Sequence, residues 1–313
     1  MTASQTLRPT SLKEFKGKDD IKENLAIYIK AAKKNNACLD HCLFYGLPGT
    51  GKTSLAFIVA NELERNIKVI QGTCLQRTVD IINLMLTLEK NDMIFIDEIH
   101  AINPQIHELL FSVMEDFALD ISLGKDFNAK TTRIEIPKFT LIGATTTLGK
   151  ISQPLQDRFG IIFNIKSYDE KSLIEIIDNV CEKINCALTK SEKEIVARNS
   201  KGIPRIAIRI LKRIRDFREV DKKISIEEIL HRLQIIDQGI NIDDYEYLQA
   251  LHKTNKPIGL KTLSQLLTID VSTIETKIEP FLFTKKFIQK TNSGRTITID
   301  GKKWLEKNIE KKF

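Results

Sequence analysis

Gly46-Leu47-Pro48-Gly49-Thr50-Gly51-Lys52-Thr53 is the stretch whose reading decides the fold. It satisfies every fixed position of the phosphate-loop pattern G-x-x-x-x-G-K-[ST]. The apolar run Cys42-Leu43-Phe44-Tyr45 before it reads as a buried strand, and Ser54-Leu55-Ala56-Phe57-Ile58-Val59-Ala60 after it reads as a helix. Strand, loop and helix in that order let successive backbone N–H groups converge on phosphate oxygens, and the helix start adds partial positive charge. Gly46, Gly49, Thr50, Gly51, Lys52, Thr53 and Ser54 are therefore expected around a nucleoside triphosphate. Lys52 is expected at its β- and γ-phosphates, and the Thr53 hydroxyl on Mg2+.

A second segment fits the first. Asp92-Met93-Ile94-Phe95-Ile96-Asp97-Glu98 is a short apolar run that ends in two carboxylates. A continuous apolar run suggests a strand buried on both faces, hence a parallel sheet. Asp97 is expected to hold Mg2+ through water, and Glu98 to orient and polarise the attacking water. His100 follows, but no ligand partners lie at metal spacing, so it is given no zinc role.

The 313 residues allow two or three domains, and no apolar run is long enough to span a membrane. The start has no basic-then-apolar layout of a signal peptide, and the cysteines (38, 42, 74, 181, 186) form no C-x-x-C pair. Reduced thiols and a cytoplasmic location are expected. The net charge of +7 is uneven: residues 285–313 hold nine lysines and arginines against three acids. That block reads as a surface for a polyanion such as nucleic acid, or as a solvated lysine-rich tail.

Along the chain, residues 1–165 alternate helix-like (21–32, 54–64) and strand-like segments (43–45, 68–71, 93–96, 139–143, 161–165), which implies a doubly wound α/β layer. A β-hairpin over 119–136, with its turn at 124–129, interrupts the alternation and should project as a partner contact or a packed excursion. Residues 166–240 read as a small helical domain, with capping boxes at Thr189-x-x-Glu192 and Ser225-x-x-Glu228. Residues 241–313 read as helices over 259–267 and 272–283, then a hairpin over 287–299 turning at Asn292-Ser293-Gly294. That is a winged-helix pattern, or a small α+β domain for protein contacts.

Two arginines stand near the expected chemistry. Arg158, in Gln156-Asp157-Arg158-Phe159, follows the fourth core strand, and Arg205, in Gly202-Ile203-Pro204-Arg205, opens a helix of the small domain. Arginine suits the charge of a γ-phosphate in flight. Between the acidic strand and Arg158 lies Gly143-Ala144-Thr145-Thr146, whose hydroxyls fit a phosphate or water sensor.

Taken in order, these motifs resemble the AAA+ layout. The finer resemblance is to the RuvB family, bacterial motors of Holliday-junction branch migration. It rests on Leu7-Arg8-Pro9, Leu39-Asp40-His41, Met114-Glu115-Asp116-Phe117-Ala118-Leu119-Asp120-Ile121, Phe139 to Thr146, Asp157-Arg158-Phe159-Gly160-Ile161 and Pro204-Arg205-Ile206-Ala207 with Arg213-x-Arg215-Asp216-Phe217. The resemblance implies ATP and Mg2+ as cofactors and a homohexamer in which Arg158 is a finger reaching a neighbour's ATP. It implies Arg205 as a second sensor on the subunit's own nucleotide, Thr146 in the catalytic set, and Leu7, Arg8 and Tyr168 bordering the adenine. The hairpin would dock a RuvA-like junction-binding partner. The winged helix would touch DNA, with Arg295 and Lys290 in the wing.

The sequence departs from the family pattern at Ala101, Thr147 and Gln156, where arginine is usual, and at Ile208, where asparagine is usual. A clamp-loader-type switch is the alternative, but that class would carry Ser-Arg-Cys where this chain has Asp157-Arg158-Phe159. Against a non-hydrolysing DNA-binding regulator stand Asp97, Glu98 and Arg158.

Overall fold

Cys42–Tyr45 (β1) lies inside a five-stranded sheet, and the phosphate loop leaves its carboxyl end. In this computed structural model, which describes residues 7–123, 130–254 and 256–308, the chain divides into two compact units. The first takes Met1–Ile176 with Ile203–Arg205, and the second takes Ile177–Gly202 with Ile206–Phe313. Among the described residues no helix is long and apolar enough to cross a membrane.

In the first unit α1 (Asp19–Asn35) precedes β1, and α2 (Lys52–Leu63) follows the loop. Then come β2 (Ile67–Gln71), α3 (Thr78–Leu86), β3 (Met93–Asp97) and α4 (Pro104–Asp116). The hairpin β4 (Ala118–Leu123) and β5 (Lys130–Glu135) intervenes before β6 (Thr140–Thr145), α5 (Gln153–Gln156), β7 (Ile161–Asn164) and α6 (Glu170–Ile184), which leads out of the unit. The sheet order is β2-β3-β6-β1-β7, all parallel. Central β6 is buried along its whole length and β3 along its first four residues, as expected of strands covered on both faces. Register sets Tyr45 beside Thr145 and Ile96 beside Gly143. The ends of β1, β3 and β6 therefore gather at one edge, the usual place for a ligand in such a sheet.

The hairpin stands where the sequence puts it, with Leu119 paired to Ile134. Its base is a packed excursion: Leu119 and Ile136 join the core beside Val113, Met114 and Phe139. The turn expected at 124–129 lies outside the described residues. His41 explains part of the Leu39-Asp40-His41 string. The buried imidazole accepts the Leu141 N–H on Nδ1 (2.9 Å), so its Nε2 donates to the Met114 carbonyl (3.0 Å). Burial holds its pKa down.

In the second unit α7 (Lys190–Arg198), α8 (Pro204–Val220) and α9 (Ile226–Arg232) form the helical part. Thr189 and Glu192 make both bonds of the expected capping box, and Ser225 caps α9 through the Glu228 N–H. The sequence predicts no strands in this stretch. A short pair, β8 (Ile235–Asp237) and β9 (Ile240–Asn241), forms there because Gln238 and Gly239 both take left-handed backbone, which turns the chain in two residues.

Next come α10 (Ile242–Thr254), α11 (Leu260–Leu267), α12 (Val271–Thr273) and, after a π-helical turn over Ile274–Ile278, α13 (Glu279–Thr284). The antiparallel wing β10 (Ile288–Thr291) and β11 (Gly294–Ile297) precedes α14 (Ile299–Lys307), with Ile299 in the helix rather than in the strand. Tyr247, Leu248, Leu263, Leu282 and Trp304 centre the core of this part. A buried ion pair fastens it to the helical part: Lys201 Nζ lies 2.5 Å from the Asp244 carboxylate, which is almost fully enclosed. Close by, the Asn199 side chain accepts the Gly239 N–H (2.9 Å).

Arg295, expected in the wing as a DNA contact, is placed by the structure in the wing's interior. It is buried, and its guanidinium grips Glu279 through Nε–Oε1 (2.8 Å) and an Nη2–Oε2 bond (3.2 Å). The Tyr247 hydroxyl donates to the same carboxylate (2.7 Å). With its guanidinium bonded to an internal carboxylate, Arg295 helps hold the wing to α13. Lys290, its neighbour in the β-pair, is exposed.

Candidate active site

The phosphate loop is shaped by close approach. Gly49 and Gly51 have φ of +82° and +108°, conformations side chains rarely adopt. A Cβ on Gly51 would stand 3.1 Å from the Phe15 ring, and one on Gly49 would stand 2.7 Å from the Arg205 Cβ. Beyond the loop, α2 begins at Lys52 with Thr53 and Ser54 part-exposed in its first turn. That combination, a cradle closed to side chains at a helix start, fits an anion such as a triphosphate.

Lys52 is 6% exposed, and its ammonium donates to the carbonyls of Gly46 (2.8 Å) and Leu47 (2.9 Å). Burial lowers its pKa, while Glu98 and Asp97 pull the other way. The lysine and the two carboxylates therefore share one electrostatic neighbourhood. The Thr50 hydroxyl braces the loop by donating to the Leu47 carbonyl (2.9 Å).

Around Glu98 the arrangement is tight. The residue follows β3 with φ of +51°, a left-handed value outside glycine that costs about 1 kcal/mol or more and marks a position over-determined by its surroundings. Its N–H donates to Asp97 Oδ1 (3.1 Å). Its Oε2 accepts from the Thr146 backbone N–H (3.2 Å) and the Thr146 hydroxyl (3.1 Å). Thr146 is thus brought to the Glu98 carboxylate. His100 was missed: its Nδ1 lies 3.2 Å from Glu98 Oε2 and 2.9 Å from Thr145 Oγ1.

The expected nucleotide flank is assembled from distant parts. The buried Tyr168 donates its hydroxyl to the Thr50 carbonyl (3.1 Å), and burial raises its pKa. Lys18 lies 4.4 Å above the Tyr168 ring, and Phe15 is buried beside Gly51. Phe15 and Lys18 carried no signal in sequence, since a lone aromatic or lysine matches no local pattern. Leu7 and Arg8 are part-exposed, with the Arg8 guanidinium 5.6 Å over the Phe57 ring of α2. Arg205 is exposed and reaches the loop through its own backbone, its N–H 3.4 Å from the Gly49 carbonyl.

Arg158 is held elsewhere. Its guanidinium bonds Glu115 of α4 (3.0 Å) and the Pro154 carbonyl (3.0 Å), and it covers the Phe111 ring at 4.9 Å. Among the described residues the side chains of Thr147 and Gln156 and the Thr147 N–H bond locally: Thr147 to the Thr145 and Thr146 hydroxyls, Gln156 to the Ile151 and Leu148 carbonyls. Among the described residues no cluster of three or more histidines, cysteines, aspartates or glutamates could hold a metal by itself. Thr53 and Asp97 still suit an ion that takes most of its ligands from phosphate and water.

Comparison with known proteins gives three family matches that tile the chain. They are the Holliday junction DNA helicase RuvB P-loop domain at residues 7–165, the RuvB AAA lid domain at 168–238 and the RuvB C-terminal winged helix domain at 237–306. The Holliday junction branch migration complex subunit RuvB of Ureaplasma urealyticum serovar 10 is 46% identical over 98% of this chain and 99% of that protein. The Campylobacter hominis subunit of the same name is 46% identical over 94% and 88%. The structure of the Thermotoga maritima RuvB Holliday junction branch migration motor superposes with a TM-score of 0.84 at 37% identity, covering 96% of this chain and 99% of that one.

Proposed function

The chain belongs to the RuvB family of AAA+ ATPases, the motors of Holliday junction branch migration, and from that premise we propose which of its residues bind, hydrolyse and transmit. It is an ATP hydrolase, and the clamp-loader alternative is not favoured. The observation that carries the site assignment is the meeting of Lys52, Asp97, Glu98 and Thr146 at one edge of the sheet.

In this reading Gly46, Gly49, Thr50, Gly51 and Ser54 cradle the phosphates of ATP, and Lys52 leaves the loop carbonyls to meet the β- and γ-phosphates. Mg2+, taken by Thr53 and through water by Asp97, neutralises phosphate charge when bound. Glu98 takes the proton of the attacking water. Thr146 senses the γ-phosphate, Arg205 acts on the subunit's own nucleotide, and Leu7, Arg8 and Tyr168 border the base. Arg158 serves the next subunit's ATP in a homohexameric ring.

The domains are taken as an ATPase domain over 1–165, a lid over 166–240 and a winged helix over 241–313. Duplex arms of a four-way DNA junction are the substrate. The hairpin over 119–136 meets a RuvA-like partner, and exposed Lys290, Lys303 and Lys307 meet DNA phosphate. A cytoplasmic setting suits the five free cysteines.

The test is ATP hydrolysis with and without a synthetic four-way junction, and branch migration of that junction with the cognate RuvA. Junction-stimulated turnover coupled to strand exchange is expected. Turnover indifferent to DNA, with no migration, would remove the motor reading.

A further inference from the structure

His100 sits in the short helical turn Ile99–Ala101 behind Glu98, with its side chain only 16% exposed. One ring atom, Nδ1, faces two oxygens: Glu98 Oε2 at 3.2 Å and Thr145 Oγ1 at 2.9 Å. Nδ1 makes its hydrogen bond with the Thr145 hydroxyl, and with the proton on Nδ1 the ring also turns its N–H toward the Glu98 carboxylate, which can only accept. The Thr145 hydroxyl also accepts the Thr147 N–H at 3.0 Å, and it is fully buried at the end of β6. His100 therefore ties the Glu98 carboxylate to the sensor strand through a hydroxyl that is itself fixed.

We propose that His100 is a positioning residue for hydrolysis, which with Thr146 anchors one oxygen of Glu98 and leaves the other to take the proton from water. The inference rests on the reading of Glu98 as the general base. Two donors converge on Oε2, the Thr146 N–H and the Thr146 hydroxyl, and His100 Nδ1 stands beside them at 3.2 Å. A carboxylate pinned at one oxygen has its remaining lone pairs aimed, and orientation of this kind is a large part of what a positioned base contributes. His100 touches neither phosphate loop nor Lys52 in the bonds described, so its loss is expected to spare ATP binding.

The experiment compares His100→Ala, His100→Asn and His100→Gln with Glu98→Gln. Asparagine can place its amide nitrogen close to where Nδ1 stands, and glutamine reaches instead toward the Nε2 position. Expected is a loss in kcat of roughly tenfold or more for His100→Ala, part of what a general base contributes, with the ATP Kd unchanged. His100→Asn should recover much of that loss and His100→Gln little of it.

A readout without turnover is hydrogen exchange at the Thr146 amide in nucleotide-free protein. Exchange should quicken in His100→Ala and slow again in His100→Asn. Parent kcat in His100→Ala beside an inactive Glu98→Gln overturns the positioning role and leaves the base assignment standing. Parent turnover in Glu98→Gln removes the base assignment, and the proposed role in hydrolysis with it. Equal losses of kcat and ATP affinity, or no gain from asparagine over glutamine, would show that His100 supports the local fold and does not orient the base.

Discussion

Single residues carry the sharpest expectations. Lys52→Ala is expected to abolish nucleotide binding, because its ammonium is the buried cation of the phosphate loop. Glu98→Gln is expected to bind ATP and not hydrolyse it, since the amide keeps the shape but cannot take a proton. Equilibrium binding and steady-state turnover, measured on both variants, check the division of labour. Arg158 gives a different test. If the finger works in trans, Arg158→Ala should bind ATP and lose roughly 10^3-fold or more in turnover. A mixture with Lys52→Ala should then regain activity, because one subunit brings an intact pocket and the other an intact finger. A mixture that forms rings and stays inactive would place Arg158 in the service of its own subunit, where Glu115 already holds it. His41 makes a pH prediction. Its folded pKa lies below the unfolded value of 6.5, because burial disfavours the imidazolium and Nδ1 is occupied by the Leu141 N–H. As pH falls through and below that value the unfolded chain binds protons that the folded chain refuses, so stability present above it is progressively lost. Melting temperatures measured from about pH 7.5 down to about pH 5.5 should fall, and His41→Asn, which keeps an acceptor but cannot titrate, should flatten the decline. Equal slopes would mean that other groups set the acid limit.

At the scale of elements, the wing shows how sequence and structure part company. The hairpin over β10 and β11 is legible from alternation around Asn292-Ser293-Gly294, but the fate of Arg295 is not. Its partner Glu279 lies on α13, sixteen residues earlier, and a basic residue in a basic hairpin gives no local sign of burial. Arg295→Ala is therefore expected to act on stability. Stripping one partner from a buried ion pair costs roughly 3–5 kcal/mol, because the other charge stays enclosed and unpaired. Lys290→Ala should instead leave melting unchanged and flatten the salt dependence of DNA binding by about one unit, as one phosphate contact fewer requires. A stable Arg295→Ala protein with a flattened salt slope would reverse the two roles. The same reasoning separates what was readable in the active site. The phosphate loop, Asp97-Glu98 and Thr145-Thr146 are short strings whose chemistry is local, and the structure gathers them at one edge. The Tyr168 bond to Thr50, 118 residues apart, and the Glu115 bond to Arg158, 43 apart, exist only once the chain has folded. His100 stands beside Glu98 in the sequence, where its spacing signals neither a metal site nor any other partner. Its role as a carboxylate's partner needs the end of β6 to be brought alongside.

On the scale of the whole molecule, a finger in trans makes turnover a property of the assembly. Specific ATPase activity is expected to rise steeply with protein concentration as rings form, and to level off when the protein is fully assembled. Activity strictly proportional to concentration, down to levels where sedimentation shows only monomer, would remove the trans reading. The buried Lys201–Asp244 pair adds a mechanical consequence. It rivets the first turn of α10 to the bend before α8, and α8 carries Arg205 in its first turn. Lys201 stands four residues before Arg205, the proposed second sensor, so the pair ties the first turn of the winged-helix part to a point close to it in sequence. Asp244→Asn should loosen this rivet while ATP turnover without DNA stays at the parent rate. The expected signature is poorer fuel economy, with fewer base pairs exchanged for each ATP consumed. Unchanged mileage in the variant would mean that the joint bears no load.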